Sequence, residues 1–358
     1  MGRVFYVTRE DVQDAFDVRE AAHRSAQIDS AIASASDDID GWLNRHKHGL
    51  APRNATRYFP WPARNYAPAW KLWLDENELV SITTLTAGGT VITSGDYFLE
   101  PVNSGPPYTH IEIDLNSQAS FSNSGTAQRA IEIVGVWGIN DDQKAAGALE
   151  SAIASTSTTT VDVTRGDVAG VGSVLTVDSE RMLVTGKGTL DSTQNLASAM
   201  NAVNSDRTVD VSDGTLFFVG EQILIDSERM RIVDIVGNNL TVIRAYDGSV
   251  LAAHSLGADV YVYRRLTVER GALGTTAATH LDAAPVTVWD VPSLVRDLAK
   301  GEAITRLEQE FSAYGARVYS DEAERDSSGT EVVAGRGLTD LRKSCARKYK
   351  RKFRKWAV

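Results

Sequence analysis

Asp178-Ser179-Glu180-Arg181-Met182 and Asp226-Ser227-Glu228-Arg229-Met230 are the same five residues, written twice in one chain. Upstream, Thr160-Val161-Asp162-Val163 matches Thr208-Val209-Asp210-Val211 at the same offset of 48 residues. The second copy runs on into Leu240-Thr241-Val242-Ile243-Arg244, Gly248 and His254. The first copy does not; its counterpart appears only after the second has ended, as Leu266-Thr267-Val268-Glu269-Arg270, Gly274 and His280, at a constant offset of 26. One small module is therefore inserted inside another of its own kind, and such insertions survive in exposed loops of tolerant scaffolds. Both copies are rich in Val, Thr, Ile and Gly, so short strands and tight turns are predicted from about 159 to 290. The outer module covers 159–186 and 262–291, and the inner one 207–261. Residues 190–205, at the junction, read as a short helix or a loop.

Outward from the repeat the chain changes character. Residues 139–158 read as a spacer. Residues 56–138 alternate as half-buried strands do, most clearly in Leu79–Thr86, Ile111–Leu115 and Ile131–Gly138, with turns at Gly88-Gly89 and Gly95-Asp96. Residues 8–47 read as helical, with Thr8 and Asp11 spaced as a capping box and Ile28, Ile32, Ala35, Ile39 and Trp42 on one face. His46 and His48 then cap the helix C-terminus. Pro292 opens another helix, striped by Val295, Leu298, Ile304, Leu307, Phe311, Tyr314 and Val318. After a polar hinge at 326–335, Leu341, Cys345, Tyr349 and Phe353 recur every four residues among basic side chains. The expected fold class is α+β: a helical bundle with a small antiparallel β unit, plus an inserted all-β region of two nested barrel- or sandwich-like modules. A core of 1–138 and 292–335 and a basic arm of 336–358 complete the expected domains.

Bulk properties narrow the function. The 358 residues have room for two or three domains. One cysteine, Cys345, excludes an internal disulfide. No apolar run approaches the roughly 20 residues needed to span a bilayer. The net charge of −10 is segregated: residues 336–358 carry ten Lys or Arg and one acid, a balance of +9 against −19 for the rest. Segregation of that kind marks an interaction arm. Lys348, Lys350, Arg351, Lys352, Arg354 and Lys355 suit phosphates, with Tyr349, Phe353 or Trp356 to stack on bases, but the acidic body favours a protein partner.

Candidate chemistry sits in the repeats. Asp178 with Glu180, and Asp226 with Glu228, are paired carboxylates, but calcium needs more oxygen ligands and acid–base catalysis a pocket. His254 and His280 occupy matching positions, yet each module supplies one histidine and neither Cys nor Asp is expected at ligand spacing, too few for zinc. The simpler expectation is a turn at Asp-Ser, a Glu bonded across the hairpin, histidines in structural hydrogen bonds, and Arg244 and Arg270 buttressing a turn. Ser173 and Ser179 lack a nucleophile elbow, and no phosphate-cradling glycine loop is present. No catalytic set, metal or cofactor is expected.

The order of elements resembles a family. Arg57-Tyr58-Phe59-Pro60, the strand Leu79-Val80-Ser81-Ile82-Thr83-Thr84-Leu85-Thr86, the hairpin Gly95-Asp96-Tyr97-Phe98-Leu99, the strand end Val136-Trp137-Gly138 and a Pro-initiated C-terminal helix follow N-terminal helices. In this the chain resembles the head-to-tail adaptor, or head-completion, proteins of long-tailed bacteriophages, over roughly 4–138 and 292–320. The repeats resemble small β-domains of phage structural proteins. The adaptor resemblance implies a virion protein of the head–tail neck, assembled in the host cytoplasm as a twelve-membered ring around a channel for the genomic DNA. It implies docking under the portal protein and onto the next, tail-proximal stopper protein, with no membrane partner. The portal-binding arm would use Leu341, Arg342, Lys343, Tyr349, Lys350, Arg351, Phe353, Arg354 and Trp356. The other readings are a tail or baseplate protein whose repeated modules bind host-surface carbohydrate and, last, a glycan-processing enzyme that uses the Asp and Glu residues of the repeats.

Overall fold

The computed structural model describes residues 2–15, 25–45, 49–62, 68–311 and 336–351. The chain divides into two compact units. One comprises 40–142, 273–275 and the residues from 346 onward; the other comprises 1–39, 143–272 and 276–345.

Among the described residues the first unit has seven strands: β1 (Arg53–Phe59), β2 (Lys71–Trp73), β3 (Leu79–Ala87), β4 (Thr90–Ile92), β5 (Tyr97–Glu100), β6 (His110–Ile113) and β7 (Ile131–Trp137). They form an antiparallel sheet in the order β1-β7-β3-β4 and a smaller one in the order β2-β6-β5. Strand β7 shows why: Ile131, Ile133 and Trp137 alternate inward and are buried, together with Leu72, Leu85, Ile111 and Phe121, in one core shared by both sheets. A period of two places every second residue on one face.

The second unit holds β8 (Gln143–Ala148), β9 (Thr160–Asp162), β10 (Val174–Val177), β11 (Glu180–Asn195), β12 (Thr208–Asp210), β13 (Gln222–Ile225), β14 (Glu228–Val236), β15 (Asn239–Ile243), β16 (Asp259–Glu269) and β17 (Pro285–Trp289). All ten belong to one antiparallel sheet in the order β12-β15-β14-β13-β16-β11-β10-β17-β8, with β9 also on β16. The sheet closes on itself twice. A bridge between Leu149 and Val163 joins the end of β8 to β9, completing a host barrel of β8, β9, β10, the first half of β11, the second half of β16, and β17. The amide of Ala197 donates to the Asp210 carbonyl at 2.8 Å, completing a nested barrel of β12 to β15 with the remaining halves of β11 and β16.

The two cores match position by position. Val161, Val163, Leu175, Val177, Met182 and Val184 fill the host barrel where Val209, Val211, Ile223, Ile225, Met230 and Ile232 fill the nested one. Leu266 and Val268 stand where Leu240 and Val242 do. Even the β-bulge recurs, between Val184 and Gly186 in one barrel and between Ile232 and Asp234 in the other. The point of insertion follows from register. In the nested barrel the pair Val236–Asn239 is closed by a two-residue hairpin turn, Gly237-Asn238. The equivalent pair in the host barrel is Gly188–Arg265, and residues 189–264 stand in place of that turn.

Four helices occur among the described residues: α1 (Arg9–Gln13), α2 (Ser25–Trp42), α3 (Ser293–Phe311) and α4 (Arg336–Tyr349). Thr8 and Asp11 form the expected reciprocal cap of α1. Ile28, Ala31, Ile32, Ala35 and Ile39 are buried along α2. Asp38 of α2 pairs with Arg306 of α3, and Glu302 of α3 takes a two-pronged contact from Arg342 of α4, 2.8 Å at Nη2.

The expected fold class is corrected. Strand covers 36% of the chain and helix 21%, so the molecule is mainly β and is not a helical bundle with a small β unit. The physical reason lies in how the ends are used. Residues 2–7, ahead of the expected helix at 8–47, lie along the host barrel, where the Phe5 amide donates to the Gly172 carbonyl at 3.0 Å. Lys187 of β11 pairs with Glu10 at 3.0 Å and Arg231 of β14 with Asp14 at 2.7 Å. The N-terminal residues thus group with the barrels, whereas the sequence places them with 56–138. Likewise the expected spacer supplies β8, a wall of the host barrel, and Leu190–Asn195 continue β11 rather than forming a helix or loop. His46, His48, Tyr314, Val318 and the hinge at 326–335 lie outside the described residues.

Candidate functional site

Each repeat folds into a two-residue hairpin whose first turn residue is Asp178 or Asp226, at φ of 52° and 50°. Aspartate tolerates this left-handed conformation better than most residues, because its short side chain bonds locally. The turn delivers the following glutamate to the barrel wall, where Glu180 and Glu228 are buried.

Around each glutamate the same network is built. Arg270 reaches Glu180 with Nε and Nη2, both at 2.8 Å, and Arg244 reaches Glu228 at 2.7 and 2.8 Å. The amides of Gly271 and Ala278 donate to Glu180 at 2.8 and 2.9 Å; those of Ala245 and Ala252 donate to Glu228 at 2.9 and 3.0 Å. His280 sets Nε2 on Glu180 at 2.9 Å and Nδ1 on Asp178 at 2.7 Å; His254 repeats both distances on Glu228 and Asp226. Each arginine's remaining donors pin distant loops: Arg270 holds the Ser155, Thr158 and Ala278 carbonyls, and Arg244 those of Asn201, Asp206 and Ala252.

Burial pushes the Glu180 carboxyl up, but Arg270, the Ala278 and Gly271 amides and His280 outweigh it and hold it at about 2. Glu228 is held at about 2 by Arg244, the Ala252 and Ala245 amides and His254, against the same opposing burial. A carboxylate that accepts five hydrogen bonds inside a wall has no lone pair facing a substrate. The chemistry this arrangement performs is fastening: one buried ion cluster joins a hairpin, a left-handed turn and a returning loop that are far apart in sequence. Among the described residues, no group of three His, Cys, Asp or Glu is placed to hold a metal ion.

Two further nodes are not repeated, and the sequence reading missed both. Glu221 stands where the host barrel has Ser173; it accepts from Arg264 at 2.7 and 2.8 Å and from the Gly166 amide at 2.8 Å. Arg264 thereby ties the nested barrel's loop to the strand that passes between the barrels. Asp247 stands where the host barrel has Leu273; it accepts from Gln13 at 2.7 Å and from Ser25, and pairs with Arg229. The available signal was departure from the repeat: a charged residue in one copy opposite an uncharged one in the other.

The predicted arm divides. Cys345 is buried, Leu341 and Tyr349 are half-buried, and Arg342 is held by Glu302, so this face of α4 packs on the protein itself. Arg351 lies 3.7 Å from Glu78, and burial lowers its pKa. Lys343, Arg347 and Lys350 are exposed at four- and three-residue spacing, with Asp340 4.0 Å from Lys343. Phe353, Arg354 and Trp356 lie outside the described residues. No protein-family model, curated protein or solved structure matches this chain.

Proposed function

We propose that the protein is a virion structural component: a ring-forming head-to-tail adaptor that docks under the portal of a long-tailed phage. The observation that carries this reading is α3's bond to helices from both ends of the chain, α2 through Asp38–Arg306 and α4 through Glu302–Arg342. Ion pairs thus tie elements from both ends of the chain to α3, and α4 with the residue after it exposes Lys343, Arg347 and Lys350. Residues three and four apart share a helix face, so the three cations form a single stripe opposite Cys345. The segregated charge favours an acidic protein surface as that partner. The modules' acidic groups support an assembly role in a second way, because Glu180 and Glu228 are spent on internal fastening. Many equivalent copies in a ring make weak contacts sufficient through avidity.

The test is co-purification with the portal protein encoded by the same genome. The triple variant K343E/R347E/K350E leaves the buried face of α4 intact and is expected to abolish capture while the chain stays folded. Undiminished capture by this variant and by a chain truncated after Arg351 refutes the docking assignment.

A further inference from the structure

One group of side chains, all within the first unit, carries more positive charge than its neighbours neutralise. Arg53 and Arg57 stand four residues apart in β1, where a period of two sets them on one face. Arg351, just beyond α4, is brought to them by backbone contacts. Its amide donates to the Leu43 carbonyl at 3.1 Å, and the Tyr349 carbonyl accepts from Arg45 Nη2 at 2.7 Å. Burial first, then the charges of Arg351 and Arg53, push the Arg57 guanidinium down to about 10, although Glu78 acts the other way. The three guanidiniums therefore crowd one another.

The acid beside them is already committed. Glu78 takes a two-pronged contact from the buried Arg45, 2.8 Å at Nη2. Arg351 Nε stops 3.7 Å from Glu78, too far for a hydrogen bond, and Glu76 is the second acid that acts on Arg351. Four guanidiniums thus meet two carboxylates, an excess of two positive charges. The flanking sequence adds no acid, since residues 46–48 are His-Lys-His and 352–355 are Lys-Phe-Arg-Lys. Donors are in surplus as well. Arg57 spends Nη1 on Asn77 at 2.7 Å, and its guanidinium carbon lies 4.3 Å from the Trp137 ring centre. Among the described residues, Arg53 Nε and Arg351 Nε are buried with no hydrogen-bond partner, a costly state for any donor. Arg53, Arg57 and Arg351 are each only half-buried, so a ligand can reach them from solvent.

We infer that Arg53, Arg57 and Arg351 form a binding site for a phosphate group, buttressed by the Arg45–Glu78 pair. A guanidinium presents its N–H donors as a fork that matches the spacing of phosphate oxygens, and charge-assisted bonds of this kind are the strong ones. A phosphate carrying roughly two negative charges cancels the excess and supplies acceptors to the donors that lack them. Free phosphate and the backbone of a nucleic acid share this chemistry. The site includes none of Lys343, Arg347 and Lys350, so it stands whether or not that stripe of α4 docks a partner.

The experiment follows the arginine Nε–Hε signals of the full, isotope-labelled chain at fixed ionic strength. The probes are inorganic phosphate and a short DNA duplex, with chloride as the control. The expected result is saturable shifts at Arg53 and Arg351 with phosphate and none with chloride. A duplex that displaces phosphate from these signals assigns the site to a nucleic-acid backbone; a duplex that leaves them unmoved assigns it to free phosphate. R53Q and R351Q should each weaken binding about tenfold or more. Each removes a guanidinium whose Nε has no partner, and unchanged backbone spectra verify the fold. Saturable shifts with neither probe overturn the inference. So do equal shifts with chloride, or binding that R53Q and R351Q leave unchanged.

Discussion

Glu228→Gln isolates the buried network of the nested barrel without changing side-chain volume. In the native barrel Oε1 accepts from Arg244 Nε and the Ala245 amide, and Oε2 from Arg244 Nη2, the Ala252 amide and His254 Nε2. A glutamine must aim its own NH2 at one of these sets of donors, and it leaves the wholly buried Arg244 without its counter-ion. Breaking a buried pair by neutralising one partner costs about 3–5 kcal/mol. Because the barrels need not unfold together, a single denaturation midpoint is a poor readout. Amide hydrogen exchange at Met230, Ile232 and Val242 is the assay, with Met182, Val184 and Val268 in the host barrel as internal reference. Protection in the nested barrel should fall by at least about a hundredfold, and Glu180→Gln should reverse the pattern. The double variant E228L/R244M, which removes both charges, should recover much of the loss, since apolar replacement of a buried pair is often neutral. A fall of less than about tenfold in E228Q, about 1.4 kcal/mol, refutes the claim that this cluster fastens the barrel.

Other consequences are as direct. Both glutamates sit at about 2 when folded, against an ordinary 4.5, so their contribution is complete above pH 4.5 and is lost as pH falls toward 2. About 3 kcal/mol per barrel is at stake, and acid titration by circular dichroism should show stability declining only below about pH 4.5, a decline that is reduced in E180Q/E228Q. Replacing residues 189–264 with Gly-Asn restores the hairpin turn of the nested barrel at the host's equivalent pair, Gly188–Arg265. The shortened chain should fold with a protected host core, and loss of protection at Leu175 and Val268 would contradict the insertion geometry. Gly172→Ala combines an unfavourable φ of 84° with a collision against Phe5. It should release residues 2–7, raising exchange at the Phe5 amide about tenfold or more.

The repeat offsets carried the local structure well. Identical Asp-Ser-Glu-Arg-Met phrases form identical turns, and the arginine and histidine of each copy close on the same glutamate. Short-range signals such as the Thr8–Asp11 cap were equally legible, because they depend on contacts three residues apart. What the repeats did not announce is that β11 and β16 each serve two barrels. A long strand that changes core at Gly188 has no composition of its own, only a change in which residues face inward. The balance of helix and strand was misjudged for a related reason. The expected spacer at 143–148 and the expected helix or loop at 190–195 carry no strand pattern of their own, and they become strands by pairing with β17 and β16. In α4, the four-residue spacing was readable, but not that Glu302 and the core around Cys345 would claim one face.

Electron cryomicroscopy of purified virions carrying an affinity-labelled copy of this chain tests the functional account most directly. The account predicts label in a closed ring between the portal and the tail, with α4 facing the portal. Label at the tail tip or baseplate, or virions that contain none of the chain, would contradict it.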